Sequence, residues 1–174
     1  MKRGVKTAVF LALAVIIAAA DQLTKHIIVK KIAFNEYVQV IKGFFKLVNC
    51  SNTGAAWGIF QDRTVYLAIV SGVAAVILIF LICCCRNNFL AVSLSLILGG
   101  AAGNLIDRIR LNYVVDFLYF KIFSYDFPVF NLGDSCVVIG CILFIVFILF
   151  IYKNGDKIFK FPFGKNSEAV KLDG

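Results

Sequence analysis

Histidine is almost absent from this chain of 174 residues: His26 stands alone, and no HExxH pair accompanies it. A zinc peptidase of that type is therefore excluded. With no GxSxG elbow and one histidine, a Ser-His-Asp triad is excluded too. A Ser–Lys dyad would have to join Lys25 or Lys121 to Ser51 or Ser124, and no motif supports that pairing. Charge is scarce as well. Only 16% of the residues are charged against 61% hydrophobic, and mean hydropathy is +0.90. A soluble domain of this length cannot bury so much apolar surface. Of the six cysteines only Cys50 falls in a predicted loop, so a disulfide scaffold has no basis. Cys83, Cys84 and Cys85 sit together at a span end; acylation is the alternative to reading them as small apolar filler. No internal repeat, low-complexity tract or long linker is present.

What is abundant is long apolar sequence. Four runs, Ala8 to Ile28, Val65 to Cys85, Phe89 to Ile106 and Leu132 to Tyr152, each approach the ~20 residues a helix needs to cross a bilayer. Continuous runs of that length exclude barrel strands. The expectation is an all-α membrane protein of one domain, with four transmembrane helices and a small extracytoplasmic β platform. The start of the chain also resembles a secretory signal, with Lys2, Arg3 and Lys6 before an apolar run and Ala18-Ala19-Ala20 ahead of Asp21. The helical pattern continues through Leu23, Ile27 and Ile28, which favours an uncleaved first span.

Lysine and arginine divide evenly between the two sides, but their density in the shorter segments favours both termini inside. On that reading residues 29–64 and 107–131 lie outside, and residues 153–174 form a polar, basic, mobile cytoplasmic tail. The net charge of +8 sits beside the spans rather than in one stripe, so lipid headgroups fit better than nucleic acid. Tyr37 to Ile41 and Phe44 to Val48, separated by Lys42-Gly43, predict a hairpin; Phe117 to Phe123 is a further β-prone stretch. Trp57 and Phe60 suit an interfacial aromatic belt.

Polar residues gather at one end of the bundle. Asp21, Lys25, Asn104, Asp107, Arg108, Asn131 and Asp134 all fall at the outer ends of spans one, three and four, with Asp116 in the connecting loop. Charges in a span cost about 2.5–3.5 kcal/mol each on insertion scales, so they point to function. Each also has a structural reading: Asp21–Lys25 as an i,i+4 ion pair, Asp107 and Arg108 as snorkelling anchors, Asn131 and Asp134 as a helix cap, and Asp116 as a turn residue. The GxxxG spacing of Gly99 to Gly103 reads as a packing face. None of these explains why all converge on one face. Two carboxylates suffice for acid–base hydrolysis when like-charge repulsion keeps a proton on one of them. A small proton-coupled tetraspan transporter is the rival from another class; it would place its acids near the midplane, often with internal repeats.

Five blocks in order resemble the bacterial lipoprotein signal peptidases (signal peptidase II): Asp21-Gln22-Leu23-Thr24-Lys25; Asn52-Thr53-Gly54-Ala55-Ala56-Trp57-Gly58; Gly99 through Arg108; Val114-Val115-Asp116-Phe117; and Phe130-Asn131-Leu132-Gly133-Asp134. The resemblance implies an aspartyl endopeptidase of the bacterial inner membrane, acting near its outer face. Its substrate would be a prolipoprotein, cut before a diacylglyceryl-modified cysteine. It implies Asp116 and Asp134 as the catalytic pair, with Asn52, Asn104, Arg108, Asn131 and Asp21 in support. No metal or cofactor is implied, and a monomer is expected. The family often has Ala where this chain has Gly133, a change expected to be tolerated. Another intramembrane aspartyl protease of the GxGD class is the nearer rival, disfavoured by the short chain.

Overall fold

The computed structural model describes residues 3–54, 60–153 and 158–160, with Arg3 described by its backbone alone. Four helices are long and apolar enough to cross a membrane. They are α1 (Arg3–Lys31), α2 (Thr64–Cys84), α3 (Asn88–Leu111) and α4 (Leu132–Val146), the last continued by a π-helical turn at Phe147–Ile151. Between them lie β1 (Tyr37–Ile41), β2 (Phe45–Asn52), β3 (Val114–Ile122) and β4 (Tyr125–Asp126). The strands form one antiparallel sheet in the order β1-β2-β3-β4. The expected class, four spans with a small β platform, is the observed one.

Helix α3 is the hub. In its most apolar stretch 56% of residues are buried, against 11–17% in the other three helices, whose remaining faces are left for lipid. Small residues let the neighbours close in on it. A methyl group added at Gly99 would meet the α1 backbone at Ala14 O, 2.7 Å away; one at Gly100 would collide with the α4 backbone at Gly133 O. Gly140 returns the contact from α4, with Ser93 Oγ donating to its carbonyl at 2.8 Å. The GxxxG stretch is thus a packing face on two sides at once. Gly133 has less room than the resemblance suggests: its added Cβ would lie 2.9 Å from Gly100 O, so alanine there requires the backbone to give way.

Several elements run further than the sequence indicates, α1 among them, which spans Arg3–Lys31 against the expected Ala8 to Ile28. Helix α3 continues to Leu111, five residues past the expected end at Ile106. The sequence boundary falls at the first charge, whereas Asp107 is buried and paired within the helix (below). Asp116 lies not in a loop but inside β3, which begins at Val114 directly after Asn112 ends α3 in the left-handed conformation (φ 63°). The β-branched pair Val114-Val115 favours extension, and β3 pairs along β2. That pairing also lengthens β2 to Asn52, past the expected Val48.

A bulge between Leu47 and Cys50 shifts the register so that Cys50 faces Asp116 and Asn52 faces Val114. Farther along the sheet, the Lys46 ammonium lies 4.3 Å from the Tyr37 ring centre and 5.1 Å from that of Tyr119. Phe60 is exposed, as an interfacial aromatic would be; Trp57 lies outside the described residues. So does the predicted tail, except Lys153 and Ile158 to Lys160. The latter are docked, not loose: Arg86 N donates to Ile158 O at 2.8 Å, Lys160 N to Cys84 O at 2.9 Å, and Ile158 is buried among Ile82, Leu90 and Phe147.

The closest helix approach supplies a test. Gly100→Ala should lower the midpoint of thermal unfolding in detergent, because overpacking two backbones costs about 1–3 kcal/mol or more. An unchanged midpoint would show that α3 and α4 do not meet as described.

Candidate functional site

The sheet end of the bundle collects the polar residues around one cavity of about 810 Å³, lined among others by Asn52, Asn104, Arg108, Asp116 and Asp134. Its geometry begins with helix α4. Asn131 caps it: its Oδ1 accepts from Asp134 N at 2.9 Å, and Asp134 Oδ2 accepts in return from Asn131 N at 3.1 Å. This capping box satisfies two orphan donors of the first turn. The structural reading of these two residues therefore holds, and it places Asp134 as well. With Oδ1 engaged, the Asn131 amide nitrogen points the other way and donates to Asp116 Oδ1 at 2.6 Å. One fully buried asparagine thus links both aspartates.

Two more asparagines repeat the device. Asn52 Oδ1 accepts from Gly54 N at 2.9 Å, so its Nδ2 faces Asp116 Oδ2 at 2.8 Å. Asn104 Oδ1 accepts from the Lys25 ammonium at 2.8 Å and from Asn131 Nδ2 at 3.1 Å, so its Nδ2 faces Asp134 Oδ1 at 2.7 Å. In each case the amide oxygen is held by a group that can only donate, which fixes the orientation of the amide. Every carboxylate oxygen of Asp116 and Asp134 receives one N–H donor.

The two acids differ in environment. Asp116 is 2% exposed, whereas Asp134 is half-buried beside the cavity. Burial, then the negative charge of Asp134, push the Asp116 carboxyl up to about 7. The Asn52 and Asn131 hydrogen bonds and the Lys25 charge act in the opposite direction. The neighbouring Cys50 thiol is pushed up to about 11, by burial and then by Asp116.

Below the pair lies a buried ionic cluster. Lys25 Nζ is 2.8 Å from Asp21 Oδ2 and 2.9 Å from Asp107 Oδ2, with every partner 4% exposed or less. The i,i+4 pair expected at Asp21 and Lys25 is present, but in the interior rather than at the interface. Asp107 is no snorkelling anchor: it also accepts from Gln22 Nε2 at 2.8 Å and from Val115 N at 3.1 Å, tying α1 and β3 to α3.

Asp21 touches neither aspartate of the upper pair. Its Oδ1 accepts from Gly133 N at 2.8 Å, which anchors the start of α4. Arg108 lines the cavity without bonding either acid; it donates to Gly54 O at 3.2 Å, and its buried Nε has no partner among the described residues. The sequence places Lys25 and Asp107 in the polar cluster and Gln22 in a motif block, but gives none of the three a role beside the aspartates. The signal for Lys25 was present in its spacing from Asp21, but its bond to Asn104 crosses from α1 to α3 and no local pattern reveals it.

The family described as Signal peptidase (SPase) II matches residues 13–150, a range that contains every residue of the site. The lipoprotein signal peptidase of Clostridium tetani is 42% identical over 132 residues, covering 74% of this chain and 85% of that one. The lipoprotein signal peptidase of Staphylococcus carnosus is 43% identical over 152 residues, covering 86% of this chain and 96% of that one. Among solved structures, one described as a bacterial membrane enzyme determined by the in meso method at 2.3 Å resolution superposes with a TM-score of 0.75 at 36% identity, covering 82% of this chain and 88% of the other. A second of the same description, at 1.9 Å, gives 0.73 at 35% identity, covering 83% and 95%.

Proposed function

The chain belongs to the signal peptidase II family, and from that premise we propose that it is an aspartyl endopeptidase whose catalytic residues are Asp116 and Asp134. Its substrate is a prolipoprotein bearing a diacylglyceryl-modified cysteine, and the bond cut is the one before that cysteine. The observation that carries this reading is the pair itself: two carboxyl groups held by one asparagine at a cavity, one of them buried and raised to about 7.

Two adjacent acids of this kind hold one proton between them. The ionised member takes a proton from a water molecule as its oxygen attacks the scissile carbonyl carbon. The protonated member gives its proton to the carbonyl oxygen, forming a tetrahedral diol. Collapse of the diol breaks the C–N bond, with a proton delivered to the departing amine and the acid pair restored. Asn52, Asn104 and Asn131 hold the two carboxyl groups in place, and Arg108 does so at one remove through Gly54. Asp21 supports the site from below through Gly133. The cavity wall continues onto Val138 and Ile139 of α4, both exposed where lipid would lie. A substrate anchored in the bilayer therefore approaches from the side. The enzyme sits in the bacterial inner membrane with both termini in the cytoplasm and the sheet outside, and it works as a monomer.

Cleavage of a diacylglyceryl-modified precursor by reconstituted enzyme tests the assignment. Asp116→Asn and Asp134→Asn should each lower kcat by about 10³-fold or more while expression persists. Near-normal cleavage by either variant would reject the pair.

The rate should also fall as pH rises through the raised titration of the pair, near 7 for Asp116. The Asn52 hydrogen bond favours the charged form of Asp116. Its removal in Asn52→Ala should therefore move this alkaline limb to higher pH, and a limb that stays put or moves down contradicts the geometry.

A further inference from the structure

The donors that fix the three asparagine amides are not of one kind. Gly54 N and Asp134 N belong to the backbone and come with the fold. The donors to Asn104 are side chains: Asn131 Nδ2 at 3.1 Å, which is shared with Asp116, and at 2.8 Å the Lys25 ammonium, 3% exposed and on a different helix. We infer that Lys25 is a positioning residue for cleavage: by occupying Asn104 Oδ1 it turns the Asn104 amide nitrogen onto Asp134 and gives the pair its correct donor set.

Two ion pairs would account for Lys25 as a structural counter-charge, and its hydrogen bond goes beyond that. The ammonium lies 2.8 Å from Asp21 Oδ2 and 2.9 Å from Asp107 Oδ2 as ion pairs, and it donates a hydrogen bond to Asn104 Oδ1 at 2.8 Å. Without Lys25, Asp21 Oδ2 and Asp107 Oδ2 lose their counter-charge, and both carboxylate oxygens can accept a further hydrogen bond close to Asn104, Asp107 Oδ2 beside the one it has from Val115 N. The amide then turns its nitrogen towards them, because an amide oxygen facing those carboxylates would be repelled. The same turn puts Asn104 Oδ1 against Asp134 Oδ1, where no hydrogen bond is possible. It also removes the acceptor that Asn131 Nδ2 uses at 3.1 Å, freeing the group that holds Asp116. One ammonium outside the cavity lining therefore governs both carboxyl groups inside it, through amides that act as a relay of orientation rather than of protons.

The inference rests on the aspartyl-peptidase reading above, and the experiment separates the two. Steady-state cleavage of a diacylglyceryl-modified precursor is measured for the full chain, Lys25→Met, Asn104→Ala, the double variant and Asp116→Asn. Lys25→Met should lower kcat by about 10²-fold with KM within about threefold of the full chain, the signature of a loss felt at the reacting groups. Asn104→Ala should lose a comparable amount, and the double variant should be within about threefold of the worse single, because both changes remove one link. A double loss equal to the product of the singles overturns the proposal, since a merely structural lysine acts independently of Asn104. So does a near-normal kcat for Lys25→Met while Asp116→Asn is inactive, whereas activity in Asp116→Asn sinks the peptidase reading itself. If Lys25→Met does not accumulate as folded protein, the same cycle is run in Lys25→Met/Asp107→Asn, which removes one charge of each sign, with Asp107→Asn as its reference. The same non-additivity is expected there, and its absence is equally decisive.

Discussion

Each carboxyl group of the Asp116–Asp134 pair faces an amide nitrogen only because something else has already claimed the amide oxygen. An asparagine is nearly symmetric in shape but opposite in chemistry at its two ends, and a flip costs a donor and adds a repulsion. The protein removes that freedom three times over, with Gly54 N at Asn52, Asp134 N at Asn131, and the Lys25 ammonium together with Asn131 Nδ2 at Asn104. The rest of the architecture can be read as what brings these donors within reach. The bulge in β2 aims Asn52, the cap of α4 aims Asn131, and the close contact of α1 with α3 brings Lys25 to Asn104.

That arrangement requires charges to be buried beneath a membrane-facing site, which is expensive unless they are paired and fully bonded. In the cluster of Asp21, Lys25 and Asp107 two ion pairs offset the burial, helped by backbone donors from Gly133 and Val115, although Asp21 Oδ2 has Lys25 as a counter-charge and no hydrogen bond among the described residues. Those two bonds also fix where α4 begins and where β3 leaves α3. Asp134 and Asp116 lie on these two elements, so the ionic cluster sets the positions of both acids without touching them. The glycines of α3 serve the same end. Gly103 leaves room for the Asp21 carboxylate, and Gly100 lets α4 approach close enough for Asn131 to span the pair.

Much of this was legible in the sequence, for a physical reason. Crossing a bilayer demands about twenty apolar residues, so the four runs announced the spans, and a polar residue in such a setting stands out. The gathering of Asp21, Asn104, Asn131 and Asp134 at one end was visible for that reason. Asp116 was harder: a lone aspartate between two spans resembles a turn, and only the pairing of β3 along β2 shows that it sits in a strand with its side chain buried. The length of α3 was missed because a charge reads as the edge of the membrane, whereas Asp107 is neutralised by a lysine 82 positions earlier in the sequence. The bond from Lys25 to Asn104 was illegible for the same reason, being a contact between helices that no local spacing encodes.

The central claim is that Asp116 and Asp134 share one proton near neutrality, and infrared spectroscopy of the pair tests it most directly. In protein labelled at aspartate, the account predicts a protonated-carboxyl band just below neutral pH that disappears as pH rises through about 7. The band should be lost in Asp116→Asn. In Asp134→Asn its midpoint should drop, because the charge that helps hold the proton on Asp116 is gone. A wild-type spectrum with no carboxyl titrating in that range, or a midpoint unmoved by Asp134→Asn, would contradict the shared proton and with it the mechanism built on it.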